Sequence, residues 1–165
     1  MSFRLVDEPP DRAEFVREAV GVVAATIRRE RARLLERVAA ADDATLAAGT
    51  DDDWGLGQIA LHLLTVERGI SGIALRLARG EPPGPTGQPR PAMGSATREG
   101  IAALAQKAED RLEKLVAELP TDPNMEATAH QPYYGDMNFA SWLLTVPLHY
   151  IAHLDAVDRG TKSTL

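Results

Sequence analysis

Apolar residues recur along this chain at intervals of three and four, in stretches that alternate with segments dense in glycine, proline and acidic residues. That spacing gathers apolar side chains on one face of a helix, so each stretch predicts an amphipathic helix with one buried stripe. Four stretches of this kind are present. No segment carries the short alternation of β-branched and aromatic residues expected of a strand, and the predicted class is all-α.

The first helix is expected to start near Asp11, with Glu14 three positions on as an Asp-led capping box. Its stripe runs through Val16, Val20, Val23, Ile27, Leu34 and Val38, with Arg28, Arg29, Glu30, Arg31 and Arg33 assigned to a solvated face. A linker over 42–53 follows. The second helix carries Leu56, Ile59, Leu63, Val66, Ile70, Ile73 and Leu77, with Gly55 as its N-cap and Gln58 as the reciprocal partner. Residues 80–94 hold five prolines and four glycines, too many for a regular element, and predict a long crossover.

The third helix reads Ile101, Leu104, Ala105, Ala108, Leu112, Leu115 and Leu119 and stops at Pro120; Lys107, Glu109, Asp110, Arg111, Glu113 and Lys114 are assigned to its exposed face. A second long linker, 121–137, contains His130, Tyr133 and Tyr134, which read as a loop packed over a bundle end or as a functional loop. The fourth helix is expected to begin at Asn138, a good N-cap, and to carry Phe139, Trp142, Leu143, Val146, His149, Tyr150, His153, Leu154 and Val157. Pro147 lies inside it and is expected to bend it one turn before the histidines.

The 165 residues, 44% of them hydrophobic, suffice for one compact domain spanning 1–165. A net charge of −6 without a basic face argues against nucleic-acid binding. No apolar run has the length of a membrane span or a signal peptide, so a soluble cytoplasmic protein is expected. With no cysteine, any metal site must use nitrogen and oxygen ligands.

Three of the four histidines fall on core-facing positions. His149 and His153 are four apart, one turn from each other on a single helix face, and His62 follows Ile59 by three and precedes Val66 by four. Three neutral imidazoles could hold a divalent ion and leave a position for an exchangeable ligand, as catalytic sites do. The competing reading is that the histidines are polar core residues, which requires acceptors absent from the apolar stripes. Glu67 and Asp155 lie off the ligands' helix faces and are assigned to the surface.

The segment Trp54-Gly-Leu-Gly-Gln-Ile-Ala-Leu-His62, followed much later by His149-Tyr-Ile-Ala-His153, resembles the DinB-like (DinB/YfiT) superfamily across nearly the whole chain. Members share a tryptophan eight residues before the first histidine and a terminal His-x-x-x-His. The resemblance implies a four-helix bundle in up-down-down-up arrangement and a divalent metal, zinc or nickel, on His62, His149 and His153. It also implies a homodimer and, in some relatives, a low-molecular-weight thiol cosubstrate in transfer or isomerisation. Mycothiol-dependent isomerases of the family carry glutamate in place of one terminal histidine, whereas His149 stands here. Trp54 reads as a structural residue at the start of the second helix.

The leading expectation is therefore a metal-dependent enzyme acting on a small molecule, its metal activating water or a thiol. The alternative is a non-catalytic bundle that binds a metal or another ligand.

Overall fold

The computed structural model describes residues 11–87 and 89–160. Its elements are α1 (Arg12–Ala40), α2 (Asp43–Ala47), α3 (Leu56–Ala78), α4 (Arg98–Ala117), β1 (Thr128–Gln131), β2 (Gly135–Asn138) and α5 (Phe139–Arg159). The four long helices form a bundle around one apolar cluster. In α1, Val20, Ile27, Leu34 and Val38 are buried; Leu63, Ile73 and Leu77 of α3, Ile101, Leu112 and Leu115 of α4, and Phe139, Leu143 and Leu154 of α5 complete the core.

Cross-helix contacts give the direction of each helix. Arg98 at the start of α4 donates to the Val38 carbonyl near the end of α1, while Glu109 pairs with Arg28, so α1 and α4 are antiparallel. Arg79 meets Glu118 at 2.6 Å where α3 and α4 both end, so those two run parallel. Arg33 faces Asp155 and Arg37 faces Asp158, which sets α5 parallel to α1. The bundle is up-down-down-up. Two adjacent parallel helices need a connection as long as the bundle, and the proline-rich segment 80–94 supplies it.

Local chemistry accounts for the helix starts. Asn138 accepts a bond from the Ser141 N–H at 3.0 Å, as its N-cap role requires, and the Gly55 N–H donates to Gln58 Oε1 at 3.2 Å. Asp11 flanks α1 as expected but makes no side-chain cap bond. The helix α5 continues through Pro147.

Three expectations are corrected. The 121–137 linker contains an antiparallel hairpin, with Ala129 opposite Met137 and His130 opposite Asp136. It forms because the α5 indole holds it, Trp142 Nε1–H donating to the Ala129 carbonyl at 3.2 Å, and because Gly135 takes φ +77° in the turn. The 42–53 linker includes the single-turn α2, capped by Asp42 accepting from Thr45 N–H at 2.7 Å. A Cβ at Gly57 would overlap the Leu46 carbonyl, so only glycine lets α2 sit this close to α3.

The third correction concerns charge. Glu30, Arg31 and Glu67, all assigned to solvent by their sequence context, are buried. Arg31 from α1 pairs with Glu67 of α3 and with Glu109 of α4, and the Tyr150 hydroxyl of α5 donates to Glu67 Oε2 at 2.7 Å. Each charge is buried because an opposite charge or a donor meets it, so one polar node joins all four long helices. Asp155 is half-buried, its carboxylate facing Arg33 at 3.8 Å on the bundle surface.

Candidate metal centre

The bundle brings His62, His149 and His153 together, with one ring nitrogen from each within 4.8 Å of the others. Their rings form a compact cluster: centroids are 5.0 Å apart for His62 and His149, 5.4 Å for His62 and His153, and 4.6 Å for His149 and His153. His62 and His153 are buried, and His149 is half-buried. The one-turn spacing on α5 and the antiparallel course of α3 create this convergence.

His62 is held from two sides. Its Nδ1–H donates to the Pro89 carbonyl of the crossover at 2.8 Å, which leaves Nε2 as the lone-pair nitrogen facing the cluster. The Trp54 ring lies 4.9 Å from the imidazole. Trp54 thus braces a site residue as well as the start of α3. His62 Nε2 and His149 Nε2 stand 2.8 Å apart, so with His62 Nε2 accepting, the donor is His149 Nε2–H.

Burial lowers all three imidazole pKa values. For His149 the value falls to about 3, through desolvation and then the neighbouring His153 and His62. For His153 it falls to about 4, through desolvation and then His62. For His62 desolvation outweighs the raising effect of the Pro89 bond. Neutral imidazole is the form that ligates a metal.

The donor set fits a divalent transition ion. Metal–nitrogen bonds of about 2.0–2.1 Å at tetrahedral angles separate nitrogens by roughly 3.3 Å, so the His62–His149 pair need open by only about half an ångström. Binding would also move the His149 proton to Nδ1, a tautomer change without change of charge.

A cavity of about 970 Å³ adjoins the cluster, walled by α3, the crossover, the hairpin and α5. His149 and Pro89 line it, so the half-buried ligand candidate is the one facing the cavity. Apart from His149, its described walls carry no ionisable side chain except the phenols of Tyr133 and Tyr134.

Sequence reasoning placed all three histidines of this cluster at core-facing positions. It missed Glu67, whose place well round α3 from His62 faces the interior between α1 and α5, and it missed the Pro89 carbonyl, because a backbone acceptor leaves no mark in side-chain patterns. His130 stands apart from the cluster, exposed and paired with Asp136 across the hairpin at 3.1 Å. That pairing favours the structural reading of its loop.

The sequence profile of the DinB superfamily matches residues 26–157, a span that includes all three histidines. The fold is similar to the crystal structure of TT2238, a four-helix bundle protein, with 24% sequence identity, a TM-score of 0.61, and coverage of 87% of this chain and 98% of that one. Curated proteins yield no match.

Proposed function

The chain belongs to the DinB superfamily, and on that footing we propose that it is a metal-dependent enzyme whose divalent ion, zinc or nickel, is held by His62, His149 and His153. The observation that carries this reading is the position of His149, shared between the imidazole cluster and the wall of a large cavity. A purely structural staple has no need of such access, whereas a small-molecule substrate must reach the ion. The apolar core closes independently of the cluster, so folding does not require the metal.

An ion held there supplies Lewis-acid polarisation and lowers the pKa of a ligating water or thiol, the chemistry of hydrolysis or thiol transfer. The chain's own residues do the rest. Pro89 sets the His62 tautomer, and burial keeps the imidazoles neutral. The Glu67–Tyr150 bond fixes the rotation of α5 and with it the aim of His149 and His153. The single-domain organisation, a homodimer and a cytoplasmic location belong to the same proposal, the homodimer carried by the family resemblance.

Metal content of untagged protein, measured by elemental mass spectrometry beside a His62→Ala/His149→Ala/His153→Ala variant, tests the centre. Near-stoichiometric metal that disappears in the folded variant is expected. Metal absent from both after incubation with zinc or nickel would overturn the proposal, and unfolding on metal removal would turn it toward a structural staple.

A further inference from the structure

The cavity beside His149 continues into a second, shallower hollow, and the two share Thr65, Gly69, Ile73 and Pro85. The second hollow is lined by Arg68, Arg76 and Arg111. Several of the bundle's other arginines meet carboxylates, Arg28, Arg31, Arg33, Arg37, Arg79 and Arg98 among them. Among the described residues no carboxylate pairs with Arg68, Arg76 or Arg111. In a chain of net charge −6, three unpaired guanidinium groups around one hollow form a local anion-attracting field.

The junction between the hollows is open because of a glycine. A Cβ at Gly69 would meet nothing within 4 Å, so packing does not exclude a side chain there, and glycine inside a helix is disfavoured relative to alanine. Its effect is a bare floor linking the cavity to the arginines. Gly72, one turn further on, leaves the same strip clear, with only the Arg111 side chain near. The larger cavity is apolar where it could have been polar: the hydroxyls of Thr65 and Thr145 are turned onto the Leu61 and Trp142 carbonyls. Along α3 the distance from His62 is roughly 9 Å to Arg68 and about 21 Å to Arg76.

We propose that this continuous cleft binds an extended small molecule with an uncharged, apolar body over Gly69 and a terminal anionic group held by Arg68, Arg76 and Arg111. The reacting end then lies at His149. This names the substrate class of the proposed enzyme and rests on that reading only for what happens at the histidines. Carboxylate, sulfonate and phosphate share the required chemistry.

Two probes with the same apolar body separate the parts of the proposal: anilinonaphthalene sulfonate and uncharged N-phenylnaphthylamine, titrated by fluorescence into the full chain. The wild type is expected to bind the sulfonate at least about tenfold more tightly than the neutral amine, the scale of a lost charge-assisted contact. Arg76→Gln/Arg111→Gln should erase that preference and leave the neutral probe unaffected, while Gly69→Leu should weaken both. A preference that survives the double substitution, or binding indifferent to Gly69→Leu, overturns the proposal.

Gly69 and Arg76 are exposed and Arg111 is half-buried, and circular dichroism checks that the variants fold. Zinc titration of the same samples keeps the two proposals distinguishable. Loss of zinc binding with an intact charge preference defeats the metal-enzyme reading alone; normal zinc binding without the preference defeats this one alone.

Discussion

Tyr150 sits between two metal-ligand candidates in sequence yet points to a different partner. Burial raises its phenol pKa well above the usual value, followed by the nearby Glu67 charge, so the hydroxyl remains a donor. Glu67 itself is pushed up by burial against the opposing effects of Arg31 and Tyr150. Tyr150→Phe should therefore cost about 1–3 kcal/mol in urea denaturation, because it strips a donor from a buried carboxylate. Glu67→Ala should cost more than Tyr150→Phe, because it removes one of the two carboxylates that pair with Arg31 and also the acceptor of the buried Tyr150 hydroxyl. If both variants matched the wild type in midpoint and slope, the node would have no energetic role. The histidines were legible because they interrupt apolar stripes at core positions. Glu67 was not, because an isolated acidic residue carries no sign of the arginine and the tyrosine that two distant segments bring to it.

The helices and the hairpin differ in how locally they are encoded. Asn138 begins α5 through a bond to a residue three positions away, so Asn138→Ala should lower stability by about 0.5–2 kcal/mol by thermal melting. The hairpin's four-residue strands are too short to show periodicity, and Trp142 anchors them from the next element. At Gly135 a Cβ would meet nothing within 4 Å, yet φ is +77°. Gly135→Ala should thus cost about 1–2 kcal/mol from backbone strain alone, without loss of core packing. Unchanged melting would mean that the turn relaxes at no cost. The single turn of α2 was hidden for a related reason, since it depends on Gly57 admitting the Leu46 carbonyl.

For the bundle as a whole, acid stability depends partly on charges that clasp α1 to α5. The Arg37 hydrogen bond and charge, with Arg33 adding to them, hold the Asp158 carboxyl below its usual value of 3.8. The folded chain therefore takes up this proton less readily than the unfolded chain. The pair's contribution is in place above the usual value and is lost as pH falls through the depressed one. Melting temperatures from about pH 6 to pH 2 should fall less steeply for Asp158→Asn than for wild type; parallel curves would refute the linkage. Zinc should act in the opposite sense at neutral pH, adding about 2.7 kcal/mol at a hundredfold excess over its Kd, and the triple histidine variant should show no gain.

Apolar periodicity was enough to place four helices, their buried stripes, the long crossover and the three inward histidines, because each depends on residues within a turn or two of one another. No local pattern could supply the groups that meet across the bundle: Arg31 with Glu67 and Glu109, the Pro89 carbonyl with His62, the hairpin with Trp142, and the cleft running from His149 to the arginines of α3 and α4. These meetings join residues far apart in the chain, and whether a charge is buried or solvated depends on what the other helices bring to it.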